Sequence, residues 1–338
     1  MNFDYNEEQQ LLADSVRRYL ADKYQFEQRQ KIVRGEGWSA QAWSQFAEMG
    51  LTGLPVSAEH GGFGGGAVDL MGVMEAFGEA LVVEPYLSHV MATRAMERGG
   101  ATELLPAVIE GSVKLAWAHD PRLRAKQSGA RWAVDGEVRG VIGAPIADHL
   151  VVADEAGLFL VKKPEGRAHR TMDERLAGDV ILRGTEAVAL KGSVQDLVDF
   201  GTALVCAEAV GVMKFACDTT LEYLKTRKQF GVTIGTFQAL QHRMVDMFIS
   251  LEQARSMACL ACSRADMGGD PKSISAAKIK IADAARHISQ ESVQLHGGMG
   301  MSEELKVSHA FRRLTVLARE FGDADYHLAR YSEISAAP

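Results

Sequence analysis

Two stretches of this chain combine residue types that can grip an anionic, ring-bearing ligand. The first is Leu224-Lys225-Thr226-Arg227-Lys228-Gln229-Phe230-Gly231, followed by Ile234, Phe237-Gln238 and His242. The planar fork of Arg227 suits phosphate or carboxylate, and Phe230 offers a face on which a planar base can stack. Gly231 permits a turn. The second stretch is Gln294-Leu295-His296-Gly297-Gly298-Met299-Gly300. Its glycines follow a long helical pattern, so backbone N–H groups are open to close approach by a ligand. Each stretch also has a plainer reading. Basic residues at a helix C-terminus are favoured by the helix dipole, and glycines stop helices. No metal site is expected: the four cysteines are Cys206, Cys217, Cys259 and Cys262, and the close pair Cys259/Cys262 has no second CxxC to complete a zinc site.

The elements that must position these stretches divide into three textures. Residues 1–112 read as helices: apolar side chains recur at helical spacing in residues 7–20, 43–49, 68–80 and 90–96. Between the second and third lies His60-Gly61-Gly62-Phe63-Gly64-Gly65-Gly66, too rich in glycine for a regular element. Residues 113–192 change to short alternating runs such as Val138-Arg139-Gly140-Val141-Ile142 and Gly157-Leu158-Phe159-Leu160-Val161, predicting a small antiparallel β domain. Residues 193–338 return to long helical stripes: Leu240, Met244, Met247, Leu251, Ala254 and Ala258, then Ala277, Ile281, Ala284, Ile288 and Val293. Their length, above the globular average, predicts a helical bundle. The fold class expected is therefore α+β, mostly helical.

Composition narrows the function. With 47% hydrophobic and 24% charged residues, the 338-residue chain is globular throughout. Its net charge of −7 speaks against non-specific binding of nucleic acid or anionic lipid. No signal peptide and no run of about 18 apolar residues is seen, so no membrane span is expected. The cysteine usage suits a reduced, cytoplasmic compartment.

Taken together, the motifs resemble the acyl-CoA dehydrogenase family over nearly the whole chain. Phe3-Asp4-Tyr5 with Glu7-Glu8-Gln9 is similar to its amino-terminal helix, and Glu59-His60-Gly61-Gly62-Phe63-Gly64 to its early glycine loop. Trp132 to Gly136 and Ala147-Asp148 to Val152 are similar to its middle β domain. The two carboxy-terminal stretches described first are its strongest signatures. The resemblance implies a helical domain, a β domain and a carboxy-terminal four-helix bundle, in a flavoprotein that binds FAD between subunits and oxidises an acyl-CoA thioester across Cα–Cβ. A carboxylate takes the α proton while the β hydrogen leaves as hydride to the flavin. It further implies that Arg227, Lys228, Gln229, Phe230, Phe237, Gln238, Gln294, Leu295, His296, Gly297 and Gly298 contact FAD, and that an electron-transfer flavoprotein or similar acceptor reoxidises it.

The departures from the family pattern refine this expectation. Counted on from Gly297-Gly298 without gaps, the family's catalytic glutamate falls on Phe321, and the following Gly322 keeps the register. Phe321 cannot take a proton. The alternative base position, on the helix before Arg227, falls on Gly201. Two nearby carboxylates remain as candidates, Glu320 and Glu208. Glu208 reads first as a buried structural carboxylate paired with a buried arginine or a backbone donor, and Glu320, beside Arg319, as one half of a surface or interface ion pair. The flavin-cradling segment, Thr-Glu-Pro then Gly-Ser in the family, is Ala118-His119-Asp120-Pro121-Arg122 here, and Val141-Ile142-Gly143-Ala144 lacks the usual flavin-facing pair. A chain that keeps the adenosine grip but loses base and cradle is similar to the short subunits of heteromeric bacterial steroid-type acyl-CoA dehydrogenases. The expected assembly is a homo- or heterotetramer with another chain of the family. A self-sufficient homomer with a displaced base and a catalytically silent structural partner are the alternatives.

Overall fold

The computed structural model describes residues 5–129, 131–162 and 166–336. Phe3 and Asp4 of the amino-terminal signature lie outside them. The chain runs through α1 (Glu7–Lys23), α2 (Phe26–Arg34), α3 (Ala40–Glu48), α4 (Ala67–Ala80), α5 (Tyr86–Arg98) and α6 (Leu105–Ile109). Seven strands follow: β1 (Leu115–His119), β2 (Arg124–Ser128), β3 (Arg131–Ile142), β4 (His149–Asp154), β5 (Gly157–Lys162), β6 (Gly166–Arg170) and β7 (Leu176–Leu190). Then come α7 (Val194–Thr226), the short strands β8 (Lys228–Gln229) and β9 (Val232–Thr233), α8 (Gln238–Asp266), α9 (Pro271–His296), α10 (Lys306–Leu317) and α11 (Ala324–Ala336). The helical, β, helical order read from the sequence holds.

Two compact units emerge. One contains residues 29–66 and 83–201, and its centre is the sheet. The strand order is β1-β4-β5-β7-β3-β2, with β6 added to β7. The expectation of an antiparallel domain needs one correction: β1 and β4 pair parallel, Leu115 opposite His149 through His119 opposite Ala153. A parallel neighbour cannot be reached by a hairpin, and here the intervening chain first builds β2 and β3. The inward face carries Leu150, Val152, Phe159, Val161, Val138, Val180 and Leu182, all nearly sealed from solvent. Helix α5 lies on this sheet: the Ser88 hydroxyl accepts from Trp117 N–H at 2.8 Å, and His89 Nδ1 accepts from Leu115 N–H at 3.1 Å.

The other unit gathers residues 1–28, 67–82 and 202–338. Helix α1 begins with a capping box formed by Asn6 and Gln9, which satisfies two orphan N–H groups. At the start of α4, Ala67 and Val68 N–H donate to the Asp266 carboxylate at 2.7 and 2.9 Å. Helices α4 and α7 cross with backbones almost touching. A Cβ on Gly78 would sit 2.1 Å from Glu208 O, and one on Gly211 would sit 1.9 Å from Glu75 O. Only glycine fits at either place. Helix α7 is long and apolar enough to cross a membrane by composition, with mean hydropathy 1.5 in its best window, although no uninterrupted apolar run marks it in the sequence. That window is 89% buried, which makes α7 a core helix.

Candidate functional site

The signature that begins at Leu224 straddles the end of α7 and the start of α8. It does not pass directly between them. Thr226 Oγ1 donates to Glu222 O as the helix ends, and β8 and β9 then form a two-residue-per-strand hairpin. Its turn is Phe230 (φ 54°) and Gly231 (φ 81°), the left-handed pair that a tight hairpin needs. A hairpin stands where the sequence suggested a helix end bearing cations. Phe230 is 91% exposed, its ring edge-on to Phe237 at 6.3 Å between centroids. Arg227, Lys228, Gln229 and Gln238 are also exposed. The Gln229 side chain folds back on Lys228 O, and neither cation has an ion-pair partner among the described residues.

The second signature caps α9. Gly297 adopts φ 62° and ψ −147°, a conformation reserved for glycine. Nothing lies within 4 Å of where a Cβ would stand on Gly297 or Gly298, so this turn is open. Gln294 is exposed, whereas the Leu295 side chain is buried and can offer a ligand only its backbone. His296 is buried too. It stacks on Tyr223 of α7, ring centroids 4.4 Å apart and planes 26° apart. Burial holds its pKa below the usual histidine range. This stack brings the two signatures together, the end of α7 against the end of α9. Arg243 of α8 ties in as well, donating to Glu291 of α9 at 2.5 Å.

The base candidates are placed as follows. Phe321 sits in a left-handed turn (φ 59°) after α10, followed by Gly322 at φ 107°. That turn is fixed from two sides. The buried ammonium of Lys278 in α9 donates to Leu317 O, and the buried His327 bridges Phe321 O (3.0 Å from Nε2) and Ser275 Oγ (3.3 Å from Nδ1). Burial pushes the Lys278 pKa down, against the pull of Cys206, Glu320 and Asp323 nearby. Glu320 is half-buried in the same turn, within the field of that ammonium. Glu208 lies deep in α7, its Oε1 2.9 Å from Arg313 Nη1, and Arg313 Nη2 donates to Val82 O at 2.7 Å. Gly201 is buried in α7 with no side chain to offer.

In the sheet-centred unit, the segment expected to cradle a flavin is spent internally. Arg122 clamps Asp120 through Nε at 2.9 Å and Nη2 at 2.6 Å, and Asp120 also takes Arg122 N–H. This pairing draws the Asp120 pKa down. Gly143 turns the chain where a Cβ would strike Pro85 at 2.5 Å.

Between α7 and α8 lies a further apolar cleft of about 580 Å³, floored by Leu224, Met244 and Leu251. On its edge Val245 (54% exposed), Phe248 (56%) and Ile249 (47%) form a bare stripe along α8. Neither this stripe nor Tyr223 stands out in the sequence, where both merge with ordinary helical periodicity.

The acyl-CoA dehydrogenase C-terminal domain matches residues 192–334, and the acyl-CoA dehydrogenase N-terminal domain matches residues 6–111. Acyl-CoA dehydrogenase IpdE2 of Mycolicibacterium smegmatis is 30% identical, the alignment covering 96% of this chain and 98% of that protein. Among solved structures, a steroid ACAD variant of Tcur3481-Tcur3483 superposes with TM-score 0.93 at 26% identity, covering 98% of both chains. The ChsE4-ChsE5 complex from Mycobacterium tuberculosis shares the fold with TM-score 0.93, at 24% identity and full coverage of both chains.

Proposed function

Because the chain belongs to the acyl-CoA dehydrogenase family, we propose that it is one subunit of a heteromeric, FAD-dependent enzyme that dehydrogenates an acyl-CoA thioester across Cα–Cβ. The observation that carries this reading is the union of the two signatures through the Tyr223–His296 stack. It presents exposed Arg227 and Lys228, the exposed ring of Phe230 and the open Gly297-Gly298 turn as one surface patch. The residues fit a dinucleotide. Cations without partners suit a pyrophosphate, an exposed aromatic suits an adenine ring, and an open glycine turn permits close backbone approach. When bound, FAD supplies the hydride acceptor. What this chain's residues do is hold and orient its adenosine-pyrophosphate end.

Support for a heteromer comes from the base positions. Phe321 carries no proton-accepting atom, and Glu208 is engaged by Arg313. A general base must reach its proton within about 2.6–3.2 Å, and a carboxylate committed to a buried guanidinium does not swing to do so. The α proton is then taken by the partner's carboxylate, in the partner's site. The similar structures named for two chains, Tcur3481-Tcur3483 and the ChsE4-ChsE5 complex, suit the same reading. The bare stripe of Val245, Phe248 and Ile249 supplies apolar surface for subunit contact. We assign the substrate to bulky, ring-bearing acyl groups, and an electron-transfer flavoprotein or similar acceptor as the reoxidant. Co-purification with a longer family chain, followed by flavin quantification and an acyl-CoA dehydrogenation assay, tests the proposal. Full activity of this chain on its own overturns it.

A further inference from the structure

We infer that His296 is a specificity-determining acceptor, held as the Nδ1–H tautomer by α9 and by Tyr223 so that its Nε2 lone pair receives a hydrogen bond from a donor group of the bound nucleoside. This inference rests on the flavin reading above and adds which end of the ligand His296 reads, and how.

The tautomer follows from geometry. His296 Nδ1 lies 2.8 Å from the carbonyl oxygen of Ser292, one turn back along α9. A carbonyl only accepts, so Nδ1 carries the hydrogen. A neutral imidazole has one N–H, and burial keeps this ring neutral, leaving Nε2 as an acceptor. The bond to Ser292 O and the stack on Tyr223 favour this ring orientation over the flipped one. Tyr223 covers one face at 4.4 Å, and its hydroxyl sits 3.5 Å from His296 O.

That acceptor is not spent inside the protein. Among the described residues no donor meets Nε2, yet it is absent from the polar atoms sealed without a partner. It therefore keeps some contact with solvent, on the residue that immediately precedes the open Gly297-Gly298 turn. An acceptor lone pair at this place repels phosphate oxygens and selects a donor. In an adenine nucleotide the donors are the exocyclic amine and the ribose hydroxyls. The phosphates are left to the exposed cations Arg227 and Lys228. Tyr223 is a positioning residue: it acts through the histidine.

The test uses the full chain and two readouts. Two-bond proton–nitrogen NMR of histidine-labelled protein is expected to show His296 as the Nδ1–H tautomer near neutral pH, and Tyr223→Leu to scramble it. An Nε2–H or doubly protonated ring in the wild-type chain overturns the inference with no ligand needed. Titration calorimetry with ADP, IDP and 2′-deoxy-ADP then reads the contact. Replacing His296 with Phe keeps the stack but removes the lone pair, so ADP affinity is expected to fall roughly three- to tenfold, the worth of one net hydrogen bond. Wild-type discrimination against IDP identifies the amine as donor, and discrimination against 2′-deoxy-ADP identifies the hydroxyl. Either discrimination should vanish in His296→Phe. ADP affinity that His296→Phe leaves unchanged overturns this inference and leaves the flavin reading standing. No binding of ADP by the wild-type chain, with no FAD in its purified assembly, overturns both.

Discussion

Glu208 of α7 and Arg313 of α10 form an ion pair at 2.9 Å, with side chains 7% and 2% exposed, and the same guanidinium closes the end of α4 by donating to Val82 O. Three helices meet at one arginine. Leu81, beside it, holds a left-handed φ of 57°, and the bond to Val82 O helps to fix that turn. The carboxylate that sequence offers as a displaced base is thus a counterion in the helical core.

The first prediction follows from that pair. Removing one partner of a buried ion pair strands the other charge, which costs about 3–5 kcal/mol. Glu208→Ala and Arg313→Ala should each lower the unfolding free energy by that order. Mutating both should cost less than the sum, since neither charge is then stranded. Additive losses in chemical denaturation would show the pair to be uncoupled.

The second concerns cofactor grip. Arg227 is exposed on the hairpin with no carboxylate partner among the described residues. A charge-assisted hydrogen bond contributes about 1.5–3 kcal/mol. Arg227→Ala should therefore weaken FAD binding in the assembled enzyme by roughly tenfold or more while leaving secondary structure intact. Unchanged flavin content after gel filtration removes Arg227 from the site.

The third concerns the turn after α10. If the partner subunit supplies the base, as proposed, Glu320→Gln in the reconstituted complex should leave the dehydrogenation rate within about twofold. Steady-state kinetics on an acyl-CoA reads it, and a fall of orders of magnitude with flavin retained identifies Glu320 as the base.

The fourth is a pH dependence. Burial pushes the His89 pKa from about 6.5 to about 3, and Leu115 N–H occupies its Nδ1 lone pair. The unfolded chain binds this proton below pH 6.5 and the folded one does not until about pH 3. Stability is thus complete above pH 6.5 and falls as pH drops through that window. The slope due to this one group is about 1.4 kcal/mol per pH unit. His89→Gln, which keeps an acceptor for Leu115, should flatten the slope by that amount in denaturation series between pH 4.5 and 7.

How much of this was legible in sequence depends on the range of the contact. Periodicity located α1, α3, α4, α5, α8 and α9, because apolar residues recur in each at helical spacing. The short α6 escaped notice, since five residues are too few for a stripe to declare itself, and α2 was missed as well although α3, also nine residues, was found. The hairpin of Lys228–Gln229 and Val232–Thr233 left no strand signal either. It is made by the positive φ of Phe230 and Gly231, and phenylalanine does not advertise such a φ. The two signatures were legible as patterns. Their meeting was not: Tyr223 and His296 are 73 residues apart, and Glu208 and Arg313 are 105 apart. Burial of Glu208 among Val205, Ala207 and Ala209 was readable, but its partner is a property of the packed helices.

The claim at the centre of this account is that one chain grips FAD and a second chain completes the chemistry. Multi-angle light scattering with flavin absorbance on the same peak measures both at once. Expressed alone, the chain is expected as a flavin-poor, self-associating or aggregating species. With its partner a tetramer carrying about one FAD per heterodimer is expected. A homotetramer of this chain with one FAD on every subunit, dehydrogenating an acyl-CoA unaided, contradicts it.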